Sequence, residues 1–119
     1  MKYGEMLRNL RVEKEITLRE LASNSDIDVA YLSRVERCTI PPPQKDELLD
    51  AINDAIDATE AEGRALKDQA AVDNKVFPPD IADKIGKMEG IPLLLRTVAN
   101  KKLTAEEIRK VTDFINSRY

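Results

Sequence analysis

The side chains best suited to specific chemistry in this chain are guanidinium forks set at helical spacing. Residues 17–37 read TLRELASNSDIDVAYLSRVER. Over 29–37, Leu32 and Val35 share one side of a helix, and Val29, Ala30, Ser33, Arg34 and Arg37 share the other. A helix face that is small at its N-terminal end and carries Arg farther along can enter a DNA major groove. Ala30 permits close approach, and Val29 can touch a thymine methyl. Arg34 can bond guanine O6 and N7 as a fork, worth roughly 1–3 kcal/mol of base discrimination. Ser33 lies on the same face, within reach of base edges or phosphates. Thr17, Arg19, Tyr31 and Arg37 are candidates for phosphate contacts, which fix register without reading sequence. The plainer alternatives are that Arg34 touches phosphate or is solvated, that Tyr31 packs on the domain edge, and that the motif serves protein contact only.

Other chemistries lack their parts. The chain has no His, so the commonest general base and the commonest zinc ligand are both missing. The single thiol, Cys38, excludes an internal disulfide and reads as an exposed helix-end residue. No nucleophile–base pair or metal cluster stands out to support an enzyme, and the expected activity needs no cofactor. The net charge of −3 does not advertise a nucleic-acid partner. Its distribution is more informative: residues 1–40 carry seven basic and seven acidic groups, whereas residues 44–62 set Lys45 against seven acids. The acidity therefore lies after Pro43, and the plain reading of it is a solvated helix face.

The elements that must hold Arg34 in place are all helical. Residues 4–14 put Met6, Leu7, Leu10 and Val12 at helical spacing. Thr17-Leu-Arg-Glu20 is a capping box opening a second helix through Ser23, and Asn24–Asp28 is turn chemistry. Asp28 suits the N-cap of a third helix over 29–37. Pro41, Pro42 and Pro43 end it, and a fourth helix over 44–58 shows Leu48, Leu49, Ile52 and Ile56. Residues 60–73 are weakly patterned. Further helices are predicted over 79–88 and from Pro92 to about Asn100. A last one, after the capping box Thr104-Ala-Glu-Glu107, carries Ile108, Val111 and Ile115. Similar stripes on the last three helices predict a small C-terminal bundle.

In the helix-turn-helix the small Ala22 allows close crossing, while Leu21, Ile27, Leu32 and Val35 turn inward against Leu7 and Leu10. The run TLRELA…YLSRVER…PPP, within about residues 4–58, resembles the XRE (Cro/repressor-like) helix-turn-helix family. The resemblance implies an all-α fold: an N-terminal bundle of four or five helices over 1–58, then a C-terminal helical region over 59–119. It implies that the third helix is the recognition helix and that the second lies over the DNA backbone. It also implies a structural ion pair between the first helix and the end of the third, at Arg11 and Glu36. The chain departs from the family's wording at Asp26 and Cys38, where Gly is usual and the backbone is expected to be left-handed. Asp tolerates that conformation; for Cys it costs on the order of 1 kcal/mol.

Together these features predict a regulator of transcription, a repressor reading a palindrome in double-stranded DNA. A single recognition helix reads only a few base pairs, so a homodimer held through residues beyond about 60 is expected. Residues 59–119 are similar to tails of regulators that act as antitoxins or pair with a zinc metallopeptidase. A protein-interaction module that binds a toxin or metallopeptidase partner and represses its own operon is the alternative. The N-terminus MKYGEMLRNL shows neither a signal peptide nor an anchor. No apolar run approaches the roughly 18 residues of a membrane span, so the expected location is the cytoplasm.

Overall fold

In the computed structural model the description covers residues 1–119, the side chain of Pro79 excepted. Among the described residues there are eight α-helices and no strand. They are α1 (Tyr3–Glu13), α2 (Leu18–Ser25), α3 (Val29–Glu36), α4 (Asp46–Ala55), α5 (Glu60–Asn74), α6 (Pro79–Gly86), α7 (Ile91–Lys101) and α8 (Ala105–Arg118). Two compact units are resolved, Met1–Ala82 and Asp83–Tyr119.

The core of the first unit is built from the apolar stripes of α1 to α5. Tyr3, Leu7, Leu21, Leu32, Val35, Ile52, Ile56 and Leu66 are all fully buried. On α1 the buried stripe runs through Tyr3 and Leu7, with Leu10 packed against it. Val12, assigned to that stripe from spacing, is instead exposed. The i, i+4, i+7 series from Tyr3 puts Val12 on the solvent side. Helix α4 ends at Ala55, three residues before its expected end, because Asp57 turns left-handed at φ 52° and the Ala58 amide returns to Asn53.

Helix α5 belongs to this unit, so the N-terminal unit extends well past the expected boundary at 58. The start of α5 is a capping box, with Glu62 N–H donating to the Thr59 hydroxyl (3.1 Å) and Thr59 N–H to Glu62 Oε1 (2.9 Å). Leu66 and Ala70 enter the core. Gly63 rests on Asn53, whose side-chain amide donates to the Gly63 carbonyl at 3.3 Å. Polar ties fasten the rest of the helix. Lys67 pairs with Asp46 (3.0 Å) and Asp50, Lys14 with Glu62 (3.0 Å), and the Tyr3 amide donates to Asp73 Oδ2 (2.8 Å). The weak apolar pattern of 60–73 reflects a helix that packs through small residues and charges.

The second unit differs from expectation. The Thr104–Glu107 capping box forms, but α7 and α8 contain no buried residue. Their stripes do not close on one another into the expected small bundle core. Two short helices joined by three residues cannot cover each other's apolar faces fully. Among the described residues, no helix is long and apolar enough to cross a membrane.

Candidate nucleic-acid interface

Helix α2 begins where sequence chemistry places it. Glu20 N–H donates to the Thr17 hydroxyl (3.0 Å), and Thr17 N–H donates to Glu20 Oε1 (3.1 Å). Thr17, first through its backbone N–H and then through its side chain, holds the Glu20 carboxyl below its ordinary range. Thr17 thereby uses one of its two acceptor lone pairs and keeps its own hydroxyl proton as a donor. Helix α2 runs to Ser25, two residues beyond expectation, and ends at Asp26, which is left-handed at φ 58°. The Ile27 amide returns to the Ala22 carbonyl (3.2 Å), and Ile27 packs against the core. Asp28 then caps α3, its carboxylate accepting from the Tyr31 amide at 3.0 Å.

This turn settles which side of α3 faces outward. Leu32, Val35 and Glu36 are buried on one side. On the opposite side Ala30, Arg34 and Arg37 are exposed, Ser33 is half-buried, and Val29 is 41% exposed. The four candidates on α3 and Arg37 at its C-cap thus share one accessible face. Tyr31 lies at its edge, half-buried and packed against the core cluster. Burial pushes its phenol pKa up, so it remains a neutral hydrogen-bonding group at pH 7. Thr17 and Arg19 are exposed at the start of α2.

Two contacts hold α3 against α1. Arg11 forms a fork with Glu36: Nε to Oε2 at 2.7 Å and Nη2 to Oε1 at 2.8 Å. A third bond runs from Arg11 Nη1 to the Ile16 carbonyl at 2.9 Å. The side chains are 12% and 5% exposed, and the Glu36 hydrogen bond holds the guanidinium still more firmly protonated. Bidentate geometry of this kind fixes orientation as well as adding energy. The second contact is Gly4. A Cβ there would overlap the Val35 carbonyl oxygen and come to 3.0 Å from Cys38 Sγ. The first turn of α1 therefore lies directly on the end of α3.

The end of α3 is closed by Cys38 in the left-handed conformation, φ 61°. The Thr39 amide (3.0 Å) and hydroxyl (3.1 Å) both donate to the Arg34 carbonyl. Sequence reasoning identified the left-handed positions at Asp26 and Cys38 but missed Gly4 and the burial of Tyr3. The available signal was a Gly in the first turn of a helix, where its poor helix propensity needs a reason.

Electrostatics separate two sets of cations. Among the described residues, Arg11, Lys14, Arg64 and Lys67 are in ion pairs, and none is made by Arg19, Arg34 or Arg37. The cations of the outward α2–α3 surface thus remain available although residues 1–40 sum to zero charge. Comparison with protein families, curated proteins and solved structures found no match.

Proposed function

We propose that this protein is a sequence-specific DNA-binding regulator of transcription, a repressor that binds a palindromic operator as a homodimer. In this reading α3 lies in the major groove. Arg34 reads a guanine, Val29, Ala30 and Ser33 meet base edges, and Thr17, Arg19, Tyr31 and Arg37 hold phosphates. The observation that carries the reading is the outward face of α3, small in its first turn and armed with unpaired arginines after it, on a helix clamped by Arg11–Glu36 and Gly4. Repression follows from occupancy, since a dimer seated on a promoter blocks polymerase and needs no cofactor.

The test is a binding assay on the DNA upstream of the protein's own reading frame, with circular dichroism as the control for folding. Arg34→Ala is expected to lose sequence discrimination, at a cost of roughly 1–3 kcal/mol. Arg37→Ala is expected to weaken all sequences alike and to lower the salt slope by about one. A wild-type protein with no sequence preference, or Arg34→Ala binding with unchanged preference, overturns the reading.

A second reading, a partner-binding module such as an antitoxin or a metallopeptidase partner, is favoured by one observation: the uncovered apolar stripes of α7 and α8. Co-purification with the product of a neighbouring toxin-like or metallopeptidase gene distinguishes it from the first.

A further inference from the structure

Helices α7 and α8 are patterned for burial, yet nothing in either is buried. In α7, Leu94 and Leu95 lie on one stripe; in α8, Ile108, Val111 and Ile115 recur at i, i+3 and i+7, with Phe114 beside them. All six are exposed. Helices of 11 and 14 residues are marginal in water alone, because most helix stability in proteins comes from packing an apolar face. The Thr104–Glu107 capping box secures one end of α8, but a cap contributes only about 1 kcal/mol. The stripes therefore need a cover.

Two features select a second copy of this chain as that cover. The first is charge. Helix α8 holds as many acidic as basic residues, and Glu107 in its first turn and Arg118 in its last both flank the Ile108–Val111–Ile115 stripe. Two antiparallel α8 helices related by a two-fold axis set each acidic end beside the other's basic end. A patch that complements itself in this way is what an isologous contact requires. The second is number. Two helices per copy, joined only through Lys102, Leu103 and Thr104, supply the four apolar stripes of a four-helix bundle.

We propose that α7 and α8 of two copies pack through these stripes, with α8 crossing α8 near Val111, and that this contact is the dimerisation element. Helix α5 is excluded from it, because its apolar face is used by Leu66 and Ala70 in the N-terminal core. The role of this contact on DNA rests on the regulator reading above; its existence does not.

The experiment uses the full chain without DNA. Light scattering and sedimentation equilibrium at micromolar concentration are expected to give twice the monomer mass of 13.4 kDa. Val111→Glu with Ile115→Glu is expected to return the mass to that of the monomer, with the unfolding transition of the N-terminal unit unchanged. A gain-of-signal arm does not depend on disrupting the helix. In a Cys38→Ser background, Val111→Cys is expected to give a disulfide-linked dimer on mild oxidation, whereas Arg64→Cys on α5 is not. A monomeric wild type, a dimer that survives the double substitution, or no cross-link through Val111→Cys overturns the proposal. A monomer that still reads its operator refutes the interface alone, and a dimer without operator binding refutes the regulator reading alone.

Discussion

Gly4→Ala separates local helix preference from tertiary packing. In an exposed helix interior, Gly→Ala is favourable by up to about 1 kcal/mol, because Ala loses less backbone entropy on folding. At Gly4 the new methyl would overlap the Val35 carbonyl oxygen. That atom is backbone, so no rotamer change can relieve the contact, and α1 must move away from α3. Overpacking of this kind costs typically about 1–3 kcal/mol. The Arg11–Glu36 fork spans the same two helices, at 2.7 Å and 2.8 Å, and loses its geometry when they separate. A net destabilisation of about 2 kcal/mol is expected, a fall of roughly 8–16 °C in Tm for a unit of this size. Gly63→Ala is the internal comparison. Its methyl would meet the end of the Asn53 side chain at 2.9 Å, and that side chain can rotate. With helix propensity acting in its favour, Gly63→Ala should stay within about 1 kcal/mol of wild type. Urea titration followed at 222 nm reads both variants. Gly4→Ala as stable as wild type, or more stable, would refute the close seating of α1 on α3.

Three further outcomes follow from the same core. The Tyr3 hydroxyl is buried with no protein partner and lies near Tyr31 and Glu36, and burial pushes its pKa far up. Tyr3→Phe should therefore be neutral or stabilising by about 1 kcal/mol in urea titration, because an unpaired buried hydroxyl carries a desolvation cost; a loss larger than that would mean the hydroxyl is bonded. Glu36→Ala leaves the Arg11 guanidinium without its carboxylate. It should cost about 2–3 kcal/mol, at or just below the lower end of the roughly 3–5 kcal/mol for a broken buried pair, since Arg11 keeps the Ile16 carbonyl and some solvent. A change below about 1 kcal/mol would show the fork to be dispensable. Glu62 is held below the usual carboxylate range, first by the Thr59 amide and then by Lys14. A depressed folded value makes its contribution present above the unfolded pKa and lost as pH falls through the folded one. Glu62→Gln should therefore flatten the acid limb of the stability–pH curve, and an unchanged slope in urea titrations from pH 6 down to pH 2 contradicts the assignment.

Much of this molecule was legible without coordinates, wherever the determinant is local. The Thr17 and Thr104 capping boxes, the Asp28 cap and the left-handed turns at Asp26 and Cys38 depend on a few neighbouring atoms, so residue type and spacing suffice. The outward face of α3 followed from periodicity, because Leu32 and Val35 leave only one side for Val29, Ala30, Ser33, Arg34 and Arg37. Val12 was misplaced because a single apolar residue at the end of a stripe is ambiguous by one position. Helix α5 packs into the first unit with little signal in its sequence, because Leu66 is its one large buried side chain and its other contacts are made by Gly63, Ala70, Ala71 and charged residues.

From the order of its residues alone, this chain is committed to helices, to their caps, and to one polar, arginine-bearing face on the third of them. Those properties arise from interactions within a few residues along the backbone. Only the tertiary structure decided that α5 completes the N-terminal core, that Gly4 must lack a side chain, and that α7 and α8 keep their stripes exposed. Each of these depends on which distant surfaces meet, and side-chain periodicity carries no information about the surface on the other side.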